Sequence, residues 1–428
     1  MTSDPLRGAS PGSGAHNSGA GLSKSSASTP APKITKWVLM VGAMSALPAI
    51  SSDIYLPALT KVAEDLNTTD AMVQLTMSGT LIGGAFGQLV IGPLSDRFGR
   101  RRPALIGIAL HVVISLLCAV VPTISGLIWL RIAQGFFNAA AGVVGMAVVR
   151  DKFVGATAAR LLSRLMLVIG VAPLLAPSLG TVIDQHFGWQ AIFVALGLIG
   201  ALVWALVWWK LPETHPERRR ATGGITSVAR VYRSVLRDRK FIVIALLPGL
   251  SFGVIMSYVV ASPFLLKGEF GISDMQFSVA FAGLGMVLVA SAQANASLVR
   301  RFEPYAIMRV GIALQLLASA ALAAVIFTGF GGLGGALGAL MLVLFTVQLV
   351  PPNASAIALS RHGETAGTAA ALIGAIQVAV AAATSALVPA LGSGGQAMAI
   401  VIALCGLLAG LVLVLFLRTA PEMVEQRF

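Results

Sequence analysis

Asp53 and Arg131 stand out because each places an ionisable group inside a long apolar run, residues 36–57 and 124–149 respectively. Such a group costs several kcal/mol to remove from water, which makes it a functional candidate by default. At the helical rise of 1.5 Å per residue, Asp53 lies about 25 Å along the first run. Arg131 lies about 10 Å into the other run from its opposite end. Across a hydrocarbon layer about 30 Å thick, the two charges fall within about one helical turn of each other in depth. Desolvation and a neighbouring arginine pull a carboxylate's hold on its proton in opposite directions, so this pair can exchange a proton near neutral pH. The alternative is a structural role, in which each group reaches for the nearer interface or the two form a fixed ion pair.

Other polar residues recur at helical spacing around these two. Arg131, Gln134, Asn138, Gly142 and Gly145 share one face of their run, suited to lining a cavity or to close helix packing. Ser251, Tyr258 and Ser262 share a face of the run 241–264, with Tyr258 level with Asp53. Tyr55, Gln348, Asn353 and Gln377 serve equally as cavity residues or as hydrogen-bonding partners between helices. His111, Cys118 and Cys405 read as packing. In GVAPLLAPSLG (170–180), Pro173 and Pro177 each remove a helical hydrogen bond and predict a bend, while Gly170 and Gly180 permit close helix contact.

The elements that must hold these residues follow from composition. The chain is 57% apolar and 11% charged, with a mean hydropathy of +0.87. Runs of about 20 apolar residues cross a bilayer as helices. Twelve occur, at 36–57, 71–93, 103–122, 124–149, 161–183, 189–209, 241–264, 275–298, 304–327, 333–353, 365–391 and 396–417. Threading them with both termini on one side puts 27 of the 30 lysines and arginines there. That bias predicts cytoplasmic termini and explains the net charge of +13 without a nucleic-acid partner. Residues 1–33, rich in Gly, Ser, Ala and Pro, predict a disordered tail. Six spans fall in 34–209 and six in 241–418, joined by the basic linker 210–240 and followed by a short tail, 419–428. Within the linker, 227–240 predicts a short surface helix. SLVRRFEPYAIMRVG (297–311) is a degenerate echo of a charged turn in the first half. The expected fold is an all-α membrane protein of two pseudo-symmetric six-helix bundles, with its site between them near mid-membrane.

That charged turn, GPLSDRFGRRR (92–102), closely resembles the loop between the second and third helices of the major facilitator superfamily. With SSDIYLPAL (51–59) and VQLTMSGTLIGGAFGQLVIGPLSDRFGRRR (73–102), the first half is similar to the Bcr/CflA group of drug:proton antiporters, the bicyclomycin-resistance type. The 170–180 segment resembles the Gly/Pro-rich antiporter motif of span 5, with alanine where glycine is expected before Pro173. FGWQAIF (187–193) resembles the family's turn into span 6. The resemblance implies proton-coupled efflux of a drug or other small amphipathic molecule by alternating access in a bacterial inner membrane. It also implies that Asp53 and Arg131 couple the proton. Under it, Tyr55, Gln134, Asn138, Ser251, Tyr258, Ser262, Gln348 and Gln377 contact substrate. Gly92, Asp96, Arg97, Gly99, Arg100, Arg101 and Arg150 would gate the movement. Asp96 ends its helix, where an unpaired carboxylate opposes the dipole, so it needs a partner, from its own loop or Arg150. No phosphate-binding Gly-x-x-x-x-Gly-Lys loop and no metal-ligand spacing occur. The expectation is therefore a monomeric transporter with no cofactor, driven by the proton gradient, and not an enzyme. Export of an endogenous metabolite such as an amino acid or small peptide, or a membrane sensor that has lost transport, are the alternatives.

Overall fold

A computed structural model describes residues 34–153, 155–216, 233–360 and 366–419. The expected tail 1–33, linker residues 217–232 and residues 420–428 lie outside the described residues. Within them the chain is helical, without strands. The first half contains α1 (Ile34–Asp53), α2 (Leu59–Asp65), α3 (Asp70–Phe98), α4 (Arg101–Val120), α5 (Ile124–Lys152), α6 (Gly155–Phe187) and α7 (Trp189–Lys210). The second contains α8 (Arg239–Pro263), α9 (Asp274–Leu298), α10 (Pro304–Thr328), α11 (Gly332–Val347), α12 (Pro351–Ser360), α13 (Ala366–Ala390) and α14 (Gly395–Thr419). Together they supply twelve spans of membrane length.

Spans 1 and 10 extend beyond their apolar runs because each continues through a break, and span 7 does so through a π-helical stretch, Phe264–Glu269. Span 1 extends to Asp65 and span 10 to Ser360. The first break has a local cause. Pro57 has no N–H to donate to the carbonyl four residues back, that of Asp53, and α1 ends there. A 3₁₀ turn, Leu56–Ala58, then leads into α2. Pro351 and Pro352 restart the second interrupted span as α12.

In the first bundle α3 packs on α5, and α4 on α5 and α7. In the second, α8 packs on α13 and α14, and α10 on α11 and α14. The bundles meet where α3 touches α13 and α6 touches α9, a pairing related by exchange of the two repeats. Glycines set the α3–α5 distance. A Cβ on Gly83 would lie 1.9 Å from the Ile132 carbonyl oxygen, and one on Gly135 would lie 2.0 Å from that of Thr80. The helices approach backbone to backbone there, which only a residue without a side chain permits.

Candidate functional site

A cavity of about 1320 Å³ lies between the bundles. At one end it is lined by Asp96, Arg100, Arg150 and Asp151, on the face that carries the basic loops; at the other by Asp53 and Tyr258. Past Asp53 the bundles close on one another. Ile54, Tyr55 and Leu56 join Val260, Phe264 and Leu265 in one buried apolar cluster. Polar contacts reinforce this seal. Lys267 Nζ donates to the Pro57 carbonyl at 2.7 Å while pairing with Asp274 at 2.6 Å. Gln74 Nε2 donates to the Ser393 carbonyl at 2.8 Å, and Ser78 meets Ser385 at 3.2 Å. The cavity is therefore open at the basic face and blind at the other.

Asp53 is the last residue of α1 and stands at the blind end, 8% exposed. Its carboxylate has no hydrogen bond or ion pair among the described residues. Arg131, level with it in depth, does not line the cavity and is fully buried within the first bundle. One Nη donates to the Ser51 carbonyl at 3.2 Å and to Gln134 Oε1 at 2.5 Å. The guanidinium also lies 5.3 Å from the Tyr55 ring centroid and 5.8 Å from that of Phe193. An α1 interrupted at Asp53 leaves carbonyls unpaired at its C-terminal end, where the helix dipole is negative, and Arg131 supplies the cation there. Arg131 thus neither reaches an interface nor forms a fixed pair with Asp53. It caps the broken helix whose end carries Asp53.

The charged turn is built around Arg100. Its guanidinium pairs with Asp96 at 2.5 Å and Asp151 at 2.9 Å, and also donates to Ser95 Oγ at 2.7 Å. Burial works against its charge, but the Asp151 hydrogen bond and the Asp96 charge outweigh that and hold its pKa above the ordinary arginine value. Glu213, beyond α7, accepts from the backbone N–H groups of Arg100 at 2.8 Å and Arg101 at 3.2 Å, at the start of α4. Arg101 donates to the Trp208 carbonyl at 2.7 Å. Asp96 therefore finds its partner one helical turn away in its own loop, and Arg150 does not pair with it. Gly99 takes φ +88°, a conformation glycine adopts freely.

A family model described as Major Facilitator Superfamily matches residues 41–386. The chain belongs to the major facilitator superfamily. It is 31% identical to the bicyclomycin resistance protein homolog of Haemophilus influenzae over 354 residues, covering 82% of this chain and 88% of that protein. It is 31% identical to a chloramphenicol resistance protein of Pseudomonas aeruginosa over 294 residues, covering 67% of this chain and 68% of that one. Among solved structures, a bacterial homolog of the human lysosomal transporter Spinster, inward-facing and unoccupied, superposes with a TM-score of 0.72 at 13% identity. That superposition covers 93% of this chain and 99% of the other. The chain is a multi-pass membrane transporter of this superfamily.

Set on this major facilitator frame, the candidate residues divide sharply. Asn138, Gly142, Tyr258 and Gln348 line the cavity with Asp53, and so do Gly92 and Pro173. Gln134 is turned away and bonds Ser115 at 2.7 Å. Tyr55 is sealed against Phe193, with ring centroids 5.1 Å apart. Ser251 is buried off the cavity, Ser262 bonds its own helix at the Val259 carbonyl, and Gln377 is half-buried outside the lining. Gly145 packs against Val41, Met44 and Ser45. The polar stripe of α5 therefore serves two purposes, packing at its Arg131 end and lining the cavity from Asn138 to Gly142. Gly180 fits against the Ile54 carbonyl, 1.9 Å from where a Cβ would sit, whereas Gly170 meets nothing within 4 Å and makes no close contact. Pro173 and Pro177 remain inside the continuous α6. Arg97 is exposed and stacks on Phe98 at 5.4 Å. His111 is buried between α4 and α7, beside Gly200. Sequence reasoning missed Thr80, Gln88, Phe252, Met256 and Phe281 in the lining, and Asp151 and Glu213 in the charged cluster. Only the first group carried a signal, through its helical spacing.

Proposed function

We propose that this transporter exports small amphipathic molecules, drugs among them, in exchange for protons by alternating access, with the energy drawn from the proton gradient. The unpaired Asp53 carboxylate at the blind end of the cavity carries this reading. A carboxylate that ends a helix, lacks a counter-ion and opens to the substrate's own space must take a proton or a ligand to be stable there. Occupancy by substrate and by proton then exclude each other, which is the requirement for exchange. The relatives named for bicyclomycin and chloramphenicol resistance support drugs as substrates.

The basic face is the cytoplasmic one in this reading, by the positive-inside bias, so the cavity is inward-open in a bacterial inner membrane with both termini in the cytoplasm. The Lys267, Gln74 and Ser78 contacts close the outer side and part when the cavity opens outward. The Arg100 cluster acts as the gate of the inner side, with Asp96 and Arg150 at the cavity mouth. The test uses inverted membrane vesicles with a respiration-driven pH gradient followed by a quenched dye. Adding chloramphenicol or bicyclomycin releases protons with the wild type and fails to do so with Asp53→Asn. Release that persists in the variant removes Asp53 from coupling, and no release with either protein rejects drug:proton exchange.

A further inference from the structure

The two walls of the cavity differ in chemistry. The first bundle contributes Asp53, Thr80, Gln88 and Asn138. The second adds Gln348 and Thr368, but its α8 presents Phe252, with Ile255 and Met256 three and four residues after it and therefore on the same helical face. All three are partly exposed to the cavity. Deeper in, Tyr258 stacks on Phe281 with ring centroids 5.6 Å apart and an interplanar angle of 18°. The Tyr258 hydroxyl is buried, with no partner. Phe281 leans in turn on Phe277 at 5.8 Å. The stack fixes the deep part of the wall, while Phe252 offers a free ring and Met256 an adaptable thioether beside it. Aromatic rings prefer stacked or edge-on aromatic partners, and methionine sulfur packs well at ring edges.

We propose that Phe252 and Met256, backed by the Tyr258–Phe281 stack, form an aryl subsite that sets substrate specificity. The substrate class is a small amphiphile carrying one aromatic ring. Its ring lies on the second bundle's wall and its hydrogen-bonding groups face Asp53 and Asn138. Proton exchange resides in the first bundle and aryl recognition in the second. The assignment rests on the transport reading above and names the ligand for that same cavity.

The test is equilibrium binding to the purified full-length protein, independent of transport. Chloramphenicol supplies a nitrophenyl ring, and bicyclomycin, which has none, is the control. Phe252→Leu keeps an apolar side chain but removes the ring, and it weakens chloramphenicol binding about fivefold while changing bicyclomycin binding less than about twofold. Phe252→Trp restores chloramphenicol binding, which a purely structural defect would not allow. Equal losses for both compounds, unchanged chloramphenicol binding in Phe252→Leu, or no chloramphenicol binding by the wild type would overturn the subsite. Selective loss without any proton release in vesicles would leave the subsite standing and reject proton coupling.

Discussion

The interior of the first bundle is charged and that of the second is not. The first buries Asp53 and Arg131, whereas the buried polar residues of the second among those described are neutral, such as Gln315, Ser319, Asn295 and Asn353. The contrast is sharper because the two repeats place polar groups alike. His111 and Ser115 sit four apart on α4, and Gln315 and Ser319 sit four apart on α10, the third span of each half. The buried charge of the first half sits elsewhere, on residues such as Asp53 and Arg131. In the exchange proposed above, proton chemistry belongs to the half that carries Asp53, and the other half supplies a largely apolar face from α8 and closes on the first. Helix packing differs in the same sense. The first bundle brings α3 and α5 together backbone to backbone, whereas the second lets Gly249 and Gly253 rest on the side chains of Val380 and Thr384.

The packing contrast gives the largest expected effect. Gly83→Ala or Gly135→Ala forces a methyl group into a carbonyl and lowers stability by about 3 kcal/mol. Gly253→Ala costs less, because Thr384 can rotate. Thermal unfolding in detergent reads the difference, and equal losses would break the distinction. Arg131→Met comes next. It strips the α1 cap and leaves the Ser51 carbonyl and Gln134 without their donor, for about 2 kcal/mol of stability. Proton release falls with it because the segment carrying Asp53 loses its anchor. A variant with wild-type stability and exchange would show that the cap is not needed. Lys267→Met weakens the seal between the halves by about 1 kcal/mol, roughly a fivefold shift toward the outward-open form. Labelling of a cysteine placed at Gln74 by a membrane-impermeant reagent from outside should rise accordingly, and unchanged labelling would place the seal elsewhere. The smallest effect is Glu213→Gln at the start of α4, about 0.5 kcal/mol, shrinking in high salt as a helix-end charge should. A loss independent of salt would mean that Glu213 acts through packing.

The twelve spans could be read from sequence because each run is long and uniformly apolar. The break in span 1 could not, since Ile54–Ala58 is as apolar as its flanks. Its one signal was Pro57, four residues after Asp53. Helical spacing placed Arg131, Gln134 and Asn138 on one face, but spacing does not say which way each part of a face turns. Arg131 and Gln134 turned into the bundle and Asn138 into the cavity. For Asp96 the sequence left the loop arginines and Arg150 open as partners, and the structure selects Arg100, four residues on. Asp151 and Glu213 carried no such signal, because each lies far along the chain and reaches Arg100 only through the fold. Thr80, Phe252 and Met256 were overlooked because a serine-sized or apolar side chain in an apolar span looks like packing until the cavity is known.

The central claim is that substrate and proton compete for Asp53. The most direct measurement adds chloramphenicol to purified protein in unbuffered detergent solution and records proton release with a pH-sensitive dye. The account predicts release by the wild type, saturating at no more than one proton per bound drug because the other cavity carboxylates, Asp96 and Asp151, are held by Arg100, and none from Asp53→Asn. Equal release from Asp53→Asn would contradict it.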